Sequence, residues 1–166
     1  MAKPSSFHGI RAAVLTVSDS CSRGSRADES GKALVQLLEK RDARVLKKEI
    51  VPDKKAAIKK RLKIFCGILK ADLILTTGGT GLGPRDVTPE ATRSVVDREV
   101  PGLVELMRFK SFKKTERASL SRAVAGIRGK TLIVNLPGSP RGSRDSFEAI
   151  ADLVPHALEM MRSEGH

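Results

Sequence analysis

At 166 residues with 40% hydrophobic content, the chain is long enough for one α/β core and short for two, so residues 1–166 are read as one domain. A balance of 31 basic against 19 acidic residues leaves +12, which calls for an anionic partner or a well-solvated surface. Aromatics at 3%, with no Trp or Tyr, argue against the stacking platforms of single-strand nucleic-acid binders, and two distant cysteines exclude a disulfide framework.

No zinc-spaced Cys/His cluster occurs, and no apolar run approaches the ~20 residues of a membrane span. The opening residues carry no apolar signal region. A cytoplasmic protein with Cys21 and Cys66 reduced is the expectation. Lysine runs such as Lys59-Lys60-Arg61 read as solvated helix faces, with a basic nucleic-acid-binding module as the competing reading.

In chain order, Ile10 to Val17 is a first buried strand ending at Ser18-Asp19-Ser20. A polar loop follows to Asp28, which caps a helix burying Ala33, Leu34, Leu37 and Leu38. Arg44 to Val51 is a second strand, placed at a sheet edge by Lys47, Lys48 and Glu49. It stops at Pro52-Asp53. The next helix, Lys54 to Leu69, carries Ile58, Leu62, Phe65, Cys66 and Leu69 at helical spacing, and Asp53 taken alone reads as its cap.

Leu73 to Leu75 is a short apolar run of the kind a parallel strand covered on both faces requires. It runs into Thr77-Gly78-Gly79-Thr80-Gly81, whose glycines permit positive φ and can turn bare N–H groups toward an anion. Thr88 is placed to cap the following helix, with Pro89 at its first position and Glu90 in its first turn. Helical segments are expected over Ala91 to Arg98 and Gly102 to Lys114. Small residues over Ala118 to Gly129 suit a tight backbone approach or a short extra strand. Thr131 to Asn135 is a strand ending at Leu136-Pro137-Gly138, and a last helix spans Ser143 to Arg162, kinked or restarted by Pro155. No repeat, low-complexity tract or flexible linker interrupts the chain.

Strands alternating with helices imply a three-layer α/β/α sandwich around a mostly parallel sheet, whose ligands bind at the carboxyl ends of the strands. Four of those ends carry polar or glycine-rich turns: Ser18-Asp19, Pro52-Asp53, Gly78 to Asp86, and Asn135 to Gly138. No Gly-Lys-Ser/Thr follows the glycines, and neither reading frame completes a dinucleotide fingerprint. An aspartate beside a phosphate cradle is reasonable if a divalent cation lies between them, so Asp86 and Asp53, brought to one rim, are candidate metal ligands. His8, His156 and His166 belong to no constellation.

Thr77-Gly78-Gly79-Thr80-Gly81 with Arg85-Asp86-Val87-Thr88-Pro89-Glu90 resembles the signature of the molybdenum-cofactor biosynthesis family, and is similar to its MogA-type molybdopterin adenylyltransferases. The resemblance runs from about Ile10 to Met161. It implies magnesium-dependent transfer of AMP from ATP to molybdopterin, with Asp53 and Asp86 as catalytic metal ligands. Leu120-Ser121-Arg122 is similar to the element that holds the pterin end, and Asn135-Leu136-Pro137-Gly138 to a further family element. Ser18 and Asp19 match the family's Ser-Asp element. The same resemblance implies a homotrimer or a multiple of it, and hand-over of the product to a molybdotransferase. A MoaB-like paralogue that binds pterin or nucleotide without effective turnover is the alternative within the family.

Overall fold

The computed structural model describes residues 4–163; His166 and the extreme ends of the domain lie outside them. Six strands form one sheet in the order β2-β1-β3-β6-β5-β4. Four of them, β1 (Arg11–Val17), β2 (Arg44–Val51), β3 (Leu73–Thr77) and β6 (Thr131–Leu136), are mutually parallel. The short β5 (Ala125–Arg128) and β4 (Arg98–Glu99) run antiparallel at one edge. β2 forms the other edge, as its charges predict, and blunts it with Lys48 paired to Asp28 and Glu49 paired to Arg61.

Side-chain alternation divides the central strands between two apolar layers. Val14, Leu73, Leu75, Leu132 and Val134 face α2 (Glu29–Lys40), α5 (Pro101–Phe112), α6 (Pro140–Ile150) and α7 (Val154–Arg162). Ala13, Leu15, Ile74 and Ile133 face α3 (Lys55–Gly67) and α4 (Thr88–Arg93). A strand buried on both faces reads as an unbroken apolar run because both sets must be apolar. The helical layers therefore close both faces and leave the strand ends to the loops.

Several element boundaries differ from the expectation. The helix expected over Ala91 to Arg98 stops at Arg93, because Arg98 pairs with Ile127 as a strand. Gly126 permits that pairing: a Cβ there would stand 2.7 Å from Val96 Cγ1 and 3.0 Å from the Arg98 carbonyl oxygen. The last helix begins at Pro140 rather than Ser143, with the Ser139 hydroxyl accepting the Gly142 N–H. It breaks at a 3-10 turn, Ala151–Leu153, and restarts with Pro155 in the first turn of α7. The uncertain Ala118 to Gly129 stretch yields the end of a 3-10 turn, Glu116–Leu120, and then β5.

Candidate functional site

The carboxyl ends of β2, β1, β3 and β6 lie side by side and present the four turns along one rim. A brief helix, α1 (Asp19–Ser22), follows β1, with the Ser18 hydroxyl accepting the Cys21 N–H as its cap. Asp19 and Asp53 interlock the first two turns. The Asp19 N–H donates to Asp53 Oδ2 at 2.7 Å, and the Asp53 N–H donates to Asp19 Oδ1 at 3.0 Å. Arg85, from the loop after β3, joins them by donating to Asp19 Oδ2 at 2.7 Å and to the Asp53 carbonyl at 3.3 Å.

The glycine turn is held from both sides. Gly78 takes φ +103 and Gly79 φ +68. A Cβ on Gly78 would fall 2.2 Å from the Val17 carbonyl oxygen, so only glycine fits between the turn and β1. The Gly78 N–H donates to the Leu136 carbonyl, and the Thr77 hydroxyl donates to the Pro137 carbonyl at 2.7 Å. Gly138 packs against this bend so closely that its Cβ would lie 3.3 Å from Gly78 Cα. The N–H groups of Gly79, Thr80 and Gly81 form no hydrogen bond among the described residues. Successive unspent backbone N–H groups on such a bend are the elements from which anion-binding concavities are built.

Arg122 braces the far arm of the turn. Its Nε donates to the Gly81 carbonyl at 2.8 Å, its Nη2 to the Asp86 carbonyl at 2.6 Å, and its Nη1 pairs with Glu90. Two cavities open on either side of the glycine bend. One, of about 510 Å³, is lined by Thr80, Gly81, Asp86, Ser121 and Pro137, with Met107, Arg108 and Lys114 of α5 and its C-terminal turn as its wall. The other, of about 370 Å³, is lined by Ser18, Arg26, Asp28, Asp53 and Thr77. They share Gly79, Gly138 and Ser139.

Charge at the rim is unevenly settled. The hydrogen bond from Arg85 holds the Asp19 carboxyl below its ordinary value. Asp53 moves the other way, raised first by burial and then by the negative charges of Asp19 and Asp86, against the Asp19 N–H that favours its ionised form. Arg122 holds Glu90 down. Asp53 is thus a rim carboxylate whose ionised form burial and its acidic neighbours disfavour.

A family model described as "Probable molybdopterin binding domain" matches residues 13–156. The chain belongs to this family. It is 43% identical to the molybdopterin adenylyltransferase of Helicobacter pylori (strain J99) over 92% of its own length and 88% of the relative's. It is also 43% identical to the molybdenum cofactor synthesis protein cinnamon of Drosophila melanogaster, over 93% of this chain but only 26% of that longer protein. Among solved structures, the molybdopterin biosynthesis enzyme MoaB of Thermus thermophilus superposes with a TM-score of 0.87 at 53% identity, covering 92% of this chain and 96% of that one.

Of the candidates named from sequence, Ser18, Asp19, Asp53, Asp86, Thr77, Gly78, Gly79, Thr80, Gly81, Ser121, Pro137 and Gly138 gather at this rim. Asn135 does not reach it. Its side chain is fully buried, accepting the Val124 N–H and donating to the Thr76 and Thr92 hydroxyls. The Arg122 guanidinium is spent on the loop and Glu90. Asp53 is not a helix cap: α3 starts from Lys54 with no side-chain cap, since the Asp53 carboxylate is turned toward Asp19. Thr88 lies inside α4 and donates its hydroxyl to the Gly78 carbonyl at 2.9 Å, leaving Val87 at the cap position. Asp28 caps α2 as expected, accepting the Gly31 N–H at 2.9 Å. β2 and β3 flank β1, so Asp53 and Asp86 follow strands that are not adjacent, Asp53 lining one cavity and Asp86 the other.

The wall residues Met107, Arg108 and Lys114, and Ser139, escaped the sequence reading. Ser139-Pro140 carried a usable signal, a cap followed by a first-turn proline. Met107, Arg108 and Lys114 carried none, since an amphipathic helix does not disclose what its polar edge overlooks.

Proposed function

We propose that the chain is a molybdopterin adenylyltransferase: the molybdopterin phosphate attacks the α-phosphorus of ATP, a new phosphorus–oxygen bond forms, and pyrophosphate leaves. One observation carries this reading. Two cavities meet at a glycine bend whose Gly79, Thr80 and Gly81 N–H groups are unspent, which is where two phosphate-bearing substrates would be brought together. In-line transfer needs positioning and charge neutralisation more than covalent help. The cavity containing Ser121 takes the pterin, whose phosphate accepts from the bend, while the cavity containing Asp53 receives the nucleotide. Ser121 orients the acceptor, and Arg122 keeps the far arm of the bend in place.

Magnesium fits the donor set. Among the described residues no three His, Cys, Asp or Glu side chains gather as a metal site, but magnesium is commonly held by one or two carboxylates and completed by substrate phosphates and water. Asp53 and Asp86 supply hard oxygen donors, and a cation would offset the burial and acidic neighbours that disfavour the Asp53 charge. When bound there, the ion would neutralise charge developing on the transferred phosphoryl group.

The reading extends to a cytoplasmic homotrimer, or a multiple of it, that passes its product to a molybdotransferase. Exposed Phe109, Phe112 and Leu120 offer apolar surface for assembly, and light scattering at three times 17.9 kDa or a multiple is the expected result. No helix among the described residues is long and apolar enough to cross a membrane. The second reading is a MoaB-like paralogue that binds pterin or nucleotide without effective turnover. Incubating the purified protein with molybdopterin and Mg-ATP decides: adenylylated molybdopterin and pyrophosphate in equal amounts support transfer, whereas pterin binding without product supports the paralogue.

A further inference from the structure

The parallel strands have a second end, remote from the glycine bend. Around the amino ends of β1 and β6 and the turn entering β3 lies a hollow of about 460 Å³, within the size range of ligand sites. Arg11, Lys63, Lys70, Arg128 and Lys130 line it against two carboxylates, Asp72 and Asp97. Both carboxylates are engaged. Asp72 pairs with Arg11 at 3.0 Å and Arg162 at 3.1 Å, and Asp97 accepts the Gly129 N–H at 2.7 Å. The lysines in ion pairs among the described residues are Lys47, Lys48 and Lys114. Lys63, Lys70 and Lys130 are not, so three exposed lysines without an ion-pair partner among the described residues line one hollow.

Two of the three stand on turns fixed by hydrogen bonds. Lys70 follows α3 in a bend where the Ala71 N–H donates to the Phe65 carbonyl and the Asp72 N–H to the Arg11 carbonyl. Its φ is +50, a left-handed conformation that costs a lysine more than a glycine or asparagine. That strain sits at a residue lining the hollow, and such strain clusters at functional sites. Lys130 sits beside Gly129, φ +56, in the tight β5–β6 turn. No aromatic ring lines the hollow, so it offers nothing on which a base would stack.

We propose that this hollow is a second site, separate from the rim described above, for a compact polyphosphate anion held by Lys63, Lys70 and Lys130. Inorganic triphosphate is the probe, titrated into ¹⁵N-labelled protein at low and high salt. The expected result is saturable shifts of the Gly67, Lys70, Gly129 and Lys130 amides, weakening as salt rises. The combined Lys63→Gln, Lys70→Gln and Lys130→Gln variant should lose about tenfold or more in affinity at these amides while adenylyl transfer is unchanged. Lys70→Gly separates use from structure: it should raise the thermal midpoint by relieving the left-handed lysine, yet weaken triphosphate binding. Shifts confined to Gly79 through Gly81, or full affinity in the triple variant, would overturn the proposal. So would tighter occupation of the hollow by a DNA duplex than by triphosphate at equal phosphate concentration.

Discussion

Replacing Asp53 by Asn acts in opposite directions on stability and on rate. An amide oxygen can still accept the Asp19 N–H, now 2.7 Å from Oδ2, and the reverse bond uses only the Asp53 backbone. What disappears is a negative charge disfavoured by burial and by Asp19 and Asp86. A carboxyl whose folded pKa lies above its ordinary 3.8 binds its proton more tightly in the folded chain. The stability this contributes is complete below that value and is lost as pH rises through the folded pKa. At neutral pH the charged group opposes folding, so Asp53→Asn should unfold at higher denaturant than the wild type; below pH 3.8 both side chains are neutral and the gain should vanish. Adenylyl transfer should fall about 10²–10³-fold, or about 3–4 kcal/mol of transition-state stabilisation, the scale of losing one electrostatic stabiliser. Single-turnover formation of adenylylated molybdopterin, measured beside chemical unfolding at both pH values, reads both effects. A variant that is stabilised yet transfers at the wild-type rate would refute the metal-holding role and leave Asp53 as part of the Asp19 interlock.

Gly79→Ala should cost about 2–3 kcal/mol in chemical unfolding and abolish molybdopterin binding. The left-handed backbone accounts for about 1–2 kcal/mol, and a Cβ 2.3 Å from Thr88 Oγ1 displaces the hydroxyl that holds Gly78, for about 1 more. Gly81→Ala, meeting only the Asp86 carboxylate at 2.9 Å without a positive φ, should lose less than about 1 kcal/mol; equal losses in the two variants would contradict this account. Asn135→Ala should destabilise by about 2–4 kcal/mol, from an orphaned Val124 N–H and a cavity, while folded protein binds pterin normally. Arg122→Gln should slow transfer about 10–100-fold and speed proteolytic nicking between residues 80 and 86, with the global unfolding midpoint little changed.

Much of this fold is legible because its strands bury both faces. Val14 and Leu15 must both be apolar when adjacent residues enter different layers, and such a run announces a central parallel strand. β4 escaped because two exposed residues, Arg98 and Glu99, have no pattern of their own; their pairing depends on Gly126, 27 positions or more away. At the site, the backbone parts were readable and the side-chain roles less so. Glycines 78 and 79 permit the positive φ that the bend adopts, whereas Asp53 reads alone as a cap and beside Asp86 as a ligand, and only its contact with Asp19 excludes the cap. Asn135 misled for a related reason. A polar residue at a strand end reads as a rim residue, but a partner set of one amide and two hydroxyls keeps it inside.

The interlocks brace the bend by contacts within the chain. Its near end is fixed to β6 by Gly78 and Thr77, its far arm by Arg122, and the loop beyond it to β1 and β2 by Arg85. Every one of these bonds is made by an atom other than the Gly79, Thr80 and Gly81 N–H groups, so bracing does not compete with binding. On the function proposed above, an anion arriving at the bend would meet donors not spent elsewhere, and the bracing would lower the ordering entropy opposing it. Arg85 is the exception among the braces. It neutralises Asp19 from a mostly exposed position, and an incoming phosphate would compete with Asp19 for the same guanidinium. Were Arg85 drawn away, Asp19 and Asp53 would be left facing each other with less compensation, and the affinity of that corner for a cation would rise. On the proposed function, ordered binding is the expected behaviour, with the phosphate strengthening the proposed metal site.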